Sequence, residues 1–158
     1  MVNIDTTLKI GDLRPQVERM FELSAHKILS LEKSWDSSRG APVFTVAGSY
    51  TSRGWTEWTH GFQFGSALLQ YEATGDGKFL ALGRVGTRAF MALHVSHVGV
   101  HDHGFNIVST YGNLLRMMRE GTIPETESER QGLELALKVS GAVQAARWTA
   151  LPGGLGYI

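Results

Sequence analysis

A chain of 158 residues is long enough for one domain with a real core and too short for two ordinary ones, so a single domain over 1–158 is expected. Lysine plus arginine and aspartate plus glutamate balance at 15 each, and no basic run stands out, which argues against nucleic acid, a membrane surface or any partner recognised mainly by charge. The absence of cysteine excludes disulfides, thiolate catalysis and sulfur-ligated zinc. The opening MVNIDTTLKIGDLRP has no apolar signal region, and no uninterrupted apolar run reaches membrane-spanning length, so the expected location is the cytoplasm.

Helical periodicity dominates the chain. From about Asp12, the residues Val17, Met20, Phe21, Ser24, Ile28 and Leu31 recur at steps of three and four, with Arg14, Glu18, Glu22 and Lys27 elsewhere on the wheel. That spacing predicts an amphipathic helix with one wet face. Residues 34–58 lose the period and carry turn formers, predicting a long loop with a short extended piece around 43–46. Four more helical segments are predicted over 61–74, 77–95, 104–120 and 126–149. The last begins with Thr126-Glu-Ser-Glu129, a capping box in which threonine and glutamate satisfy each other's orphan backbone N–H groups.

These helices differ in kind. The segment 77–95 aligns Phe79, Leu82, Gly86, Ala89 and Leu93 on one stripe with Lys78, Arg84 and Arg88 off it; 126–149 gathers Glu127, Arg130, Gln131, Glu134 and Lys138 on one face. Each therefore has a solvent side. By contrast, 61–71 and 104–115 contain no formally charged residue and carry apolar groups around the whole circumference, which predicts helices covered on all sides. His60-Gly61-Phe62 and His103-Gly104-Phe105 each open one of these uncharged helices, 43 positions apart, the repeat length of stacked α-hairpins. A third such opening is expected at GGLGYI, where the sequence given stops. The expected fold is all-α, built of α-hairpin repeats and incomplete as it stands. Exposed apolar edges are expected as a result, open to pairing with a copy of the chain.

The stretch HVGVHDHGFNIVSTYG, from 97 to 112, sets Asp102 between two histidines and directly before an apolar helix. One reading makes Asp102 an N-cap. A second makes His94, His97, His101 and His103 metal ligands, although the H-E-x-x-H arrangement is missing. A third is carbohydrate chemistry, since Trp55 and Trp58 precede the first uncharged helix and aromatic faces stack against the C–H faces of sugar rings.

The tracts WTHGFQFGSALLQYEATGDGKFL (58–80) and HDHGFNIVSTYGN (101–113) together resemble the unsaturated glucuronyl hydrolases and unsaturated rhamnogalacturonyl hydrolases of glycoside hydrolase families 88 and 105. The shared hallmarks are W-T-x-G-F-x-x-G at one inner helix and H-D-x-G-F at the next. The resemblance implies the N-terminal part of an (α/α)6 barrel, a six-hairpin glycosidase-like toroid. It implies a hydrolase acting on unsaturated uronyl (glucuronyl or galacturonyl) oligosaccharides by hydrating the 4,5 double bond, with no metal and no organic cofactor. By motif, Asp102 matches the first of two key aspartates, His101 its neighbour in the pocket, and Trp58 the aromatic residue lining the sugar site. An N-capping carboxylate is biased towards ionisation, so Asp102 would orient substrate or water and stabilise positive charge rather than donate the proton. The donor would be a second aspartate on the next inner helix, which this sequence only begins, so a catalytically incompetent chain is expected. Glu125, Glu127, Glu129 and Glu134 are no substitute, being at the start and on the wet face of an outer helix. His103 before Gly104 departs from the apolar or other residue more often found there. The alternatives are a non-catalytic helical carbohydrate-binding or assembly module, and a metal hydrolase built on the histidines.

Overall fold

The computed structural model describes residues 6–54, 57–99 and 101–158. They form a mostly helical protein in two compact units, the first ending at Ser34 and the second covering Trp35–Ile158. In the first unit a 3-10 turn, Ile10–Leu13, leads into α1, Arg14–Ser34. The Asp12 carboxylate accepts the Lys9 backbone N–H at 2.9 Å and fixes the start, and Pro15 sits in the first turn, where its missing N–H costs nothing. Val17 and Met20, on the predicted apolar stripe, are exposed together with Leu23.

The second unit starts with a self-contained corner. The Trp35 indole donates to the Gly40 carbonyl at 2.9 Å, and the Arg39 guanidinium lies over the same ring. The extended piece expected near 43–46 is strand β1, Phe44–Val46, and it has an antiparallel partner that periodicity did not reveal, β2, Ser49–Thr51. Between them Ala47 and Gly48 both hold positive φ, the two-residue turn that suits a twisted hairpin.

Helix α2 is His60–Thr74 and α3 is Gly77–Phe90, started by the Asp76 side chain accepting from Lys78 N–H. The helix expected to run to 95 breaks at Met91 and resumes as α4, Ala92–Val95. The helix expected over 104–120 is likewise composite: α5, His103–Ile107, then a π-helical turn, Val108–Gly112, then α6, Asn113–Arg119. Side chains compete for the backbone there. The Thr110 hydroxyl donates to the Asn106 carbonyl at 2.6 Å and the Asn113 amide to Ser109 C=O at 3.0 Å. Helix α7 is Glu127–Ala146. Only half of its capping box forms: Thr126 Oγ1 accepts from Glu129 N–H at 3.3 Å, while the Glu129 carboxylate turns to Arg84 and Arg88 instead.

Two expectations are corrected. α7 stops at Ala146 rather than 149, and GGLGYI does not open a third helix. Gly153 and Gly154 adopt positive φ and reverse the chain, so that β4, Gly156–Tyr157, pairs antiparallel with β3, Thr149–Ala150.

Packing in this unit is set by the glycines. A Cβ on Gly61 would collide with the backbone of Phe105 and Asn106, and one on Gly65 with the Ser109 carbonyl, so α2 lies directly against α5 and the π-helical turn. On its other side, α2 sets Phe64 and Leu68 onto Gly86 and Gly83 of α3. The core joins Leu68 to Leu114, Leu115, Met117, Met118, Ile123 and Leu133, drawing α2, α6 and α7 together. The uncharged helices are not covered on every side, however. With α3 on one flank of α2 and the α5–α6 run on another, a third direction stays open, and Phe62, Leu69, Phe105 and Val108 are exposed there. Among the described residues, no helix is long and apolar enough to cross a membrane.

Candidate functional site

Asp102 occupies the N-cap position of α5, and its carbonyl accepts the Phe105 N–H at 3.1 Å. Its side chain makes no capping hydrogen bond. Instead Oδ1 lies 3.5 Å from Nε2 of His101, with the carboxylate 28% and the imidazole 71% exposed. Asp102 is thus an N-cap by backbone position while its carboxylate stays available.

Trp58 stands in the turn before α2, and its ring meets Phe105 at 5.2 Å and Phe62 at 5.8 Å between centroids; the two phenylalanines are 5.5 Å apart. Each of the three is between 42% and 45% exposed. They make an aromatic platform at the adjoining N-terminal ends of α2 and α5, and its Phe105 is three residues from Asp102. Trp58 and Asp102, singled out from sequence, are linked through Phe105, which packs on the Trp58 ring and follows Asp102 by one helical turn, and His101 lies beside the Asp102 carboxylate. Trp55 lies outside the described residues.

Sequence reasoning missed the two phenylalanines and the buried group beneath them. The phenylalanine signal was present in the His-Gly-Phe repeat, whose third positions are these two rings. Asn106, fully buried, joins the helices: its Oδ1 accepts Gly61 N–H at 2.7 Å, and its Nδ2 donates to the Glu57 carbonyl at 3.3 Å. The same Nδ2 is 3.0 Å from Nδ1 of His94, whose Nε2 is 3.4 Å from Nδ1 of His60. Because an amide nitrogen only donates, His94 accepts at Nδ1 and carries its proton at Nε2, from which it donates to His60. His60 is then protonated at Nε2, a buried atom with no hydrogen-bond partner among the described residues. Burial depresses the pKa of both histidines to about 4, aided at His94 by the positive charge that His60, His97 and His103 would carry. Both are neutral structural groups at physiological pH.

His97 and His103 serve the fold as well. His103 is buried, its Nδ1 is 3.1 Å from the Ser140 hydroxyl, and its ring stacks on His97 at 6.4 Å. Burial lowers its pKa too. The repeat holds for the histidines and phenylalanines but not for the glycines, since Gly104, unlike Gly61, faces open space. Among the described residues, no group of three or more His, Asp or Glu side chains is arranged to hold a metal ion.

Chemically, this end offers a carboxylate with an imidazole beside it and an aromatic wall. The four glutamates at the start of α7 are engaged elsewhere: Glu125, Glu127 and Glu134 pair with Arg130, and Glu129 with Arg84 and Arg88. Comparison with family models, with curated proteins and with solved structures finds no match to the chain.

Proposed function

We propose that this chain is a glycoside hydrolase-like protein of the unsaturated uronyl type, corresponding to the N-terminal part of an (α/α)6 toroid. The observation that supports the reading is the contact of Trp58, from one resemblance motif, with Phe105 of the other, one helical turn after Asp102. A saccharide ring stacks on the aromatic platform through its C–H face, and its polar edge lies towards His101 and Asp102. In the reaction, a proton adds to the carbon of the vinyl-ether double bond remote from the ring oxygen, positive charge grows at the other carbon, beside that oxygen, and water attacks this second carbon and gives up a proton. The hemiketal so formed opens and releases the remaining sugar. Asp102 orients the water and stabilises the cation. The proton requires a second acid with a raised pKa. None of Glu125, Glu127, Glu129 and Glu134 supplies it, so these 158 residues bind the sugar and turn it over little or not at all.

A non-catalytic carbohydrate-binding module is the second reading, favoured by an exposed aromatic trio accompanied by one carboxylate. An unsaturated uronyl disaccharide separates the two when its conjugated-alkene absorbance is monitored in a longer chain that includes these residues. Loss of absorbance, abolished by Asp102→Asn while folding is kept, is the hydrolase outcome; asparagine caps as well as aspartate. Binding without loss of absorbance leaves the module.

A further inference from the structure

We propose that the cleft between α3, the π-helical turn and the start of α7 is a separate binding site for a small organic carboxylate. It encloses about 370 Å³, at the lower end of small-molecule pockets, and shares no residue with the Trp58–Asp102 end. Its floor is apolar, formed by the buried Leu114 and Leu133, with Gly132 beside them adding no side chain.

Two groups of the wall, Arg88 and Tyr111, keep donors unused. Glu129, the one carboxylate there, is already saturated: Oε1 accepts Arg88 Nη2 at 3.1 Å and lies 3.2 Å from Arg84 Nε, and Oε2 accepts Arg84 Nη2 at 3.2 Å. Arg88 is the one cation in the lining, and Arg84, outside it, holds the far side of Glu129. Arg88 is 69% exposed, and its other N–H groups make no hydrogen bond among the described residues. The Tyr111 phenol makes none either, and burial pushes its pKa up, so it remains a donor across the physiological range. Tyr111 belongs to the π-helical turn, a widened backbone that recurs at functional sites because it re-aims a side chain.

The unused N–H groups of Arg88 and the Tyr111 phenol above an apolar floor select a ligand with an anionic head and an apolar body. A neutral analogue forgoes the charge-assisted hydrogen bond, and a cation meets Arg88.

The test is a benzoate titration of the isotope-labelled protein observed through its amide resonances, with benzyl alcohol as the uncharged control. Benzoate should shift the amides of Thr87, Arg88, Tyr111 and Gly132 saturably, and benzyl alcohol should not saturate over the same range. Arg88→Gln, at an exposed position, should weaken benzoate about tenfold, as expected for one lost charged hydrogen bond. Tyr111→Phe, which keeps the ring that packs on the core, should weaken it severalfold. The proposal is overturned if benzoate produces no saturable shift at the cleft into the tens of millimolar. It is equally overturned if the shifts fall at the Trp58 end instead, or if both variants, with native spectral dispersion, bind benzoate as the parent does.

Discussion

Asn106 uses both ends of its amide, accepting from Gly61 and donating to Glu57 and His94. Replacing it with alanine strands a backbone N–H, a carbonyl and an imidazole nitrogen in a buried place, and each such loss costs about 1–3 kcal/mol. We expect Asn106→Ala to lower the urea midpoint by an amount equal to roughly 3 kcal/mol or more, with an unchanged slope; a midpoint like that of the parent would show that these bonds hold nothing together. His60 and His94 carry a second prediction. Unfolded, each titrates near 6.5, whereas in the fold burial holds each to about 4. Between those values the unfolded chain binds more protons, so stability rises with pH across the window, is complete above about 6.5 and is lost as pH falls towards 4. One such shift corresponds to about 3 kcal/mol. Urea denaturation at pH 5 and pH 7 checks this: the midpoint should be clearly lower at pH 5, and a flat profile would contradict the buried neutral pair.

At the scale of elements, the two His-Gly-Phe openings look alike in sequence and behave differently in the fold. A methyl group on Gly61 strikes the backbone of Phe105 and Asn106, which has no rotamer with which to yield; on Gly104 it meets open space. Gly61→Ala should therefore destabilise by about 3 kcal/mol, at the severe end of overpacking. Gly104→Ala should be neutral or slightly stabilising through its better helix propensity. Thermal unfolding of the two variants decides the matter, and equal shifts would refute the close approach of α2 and α5. The existence of these helices was legible because period and charge placement agreed, and for the last of them Thr126 marked the start. Their interruptions were not. The break at Met91 has no glycine or proline to mark it, and the π-helical turn, where Thr110 and Asn113 take backbone carbonyls, leaves no mark on a hydropathy pattern. The strand Gly156–Tyr157 exists only because Thr149–Ala150 is there to pair with it. Asn106 was hidden for a similar reason: apart from His94, its partners lie 45 and 49 positions upstream.

Over the whole molecule, the sequence and the structure agree on a helical chain, and the structure sets the two uncharged helices side by side with Trp58 of one motif on Phe105 of the other. They differ on coverage, since a helix without charges was expected to be enclosed and here keeps Phe62 and Phe105 in solvent. Those two rings and Trp58 are the proposed saccharide platform, and its service to Asp102 is the central claim. It is tested most directly by titrating an unsaturated uronyl disaccharide into the isotope-labelled 158-residue chain and mapping the resonances that move. Saturable shifts of the Trp58 indole and of the amides of Phe62, His101, Asp102 and Phe105, reduced at least tenfold in affinity by Trp58→Ala, are the expected result. A disaccharide that moves none of these signals, or that binds the Trp58→Ala variant as well as the parent, would contradict it.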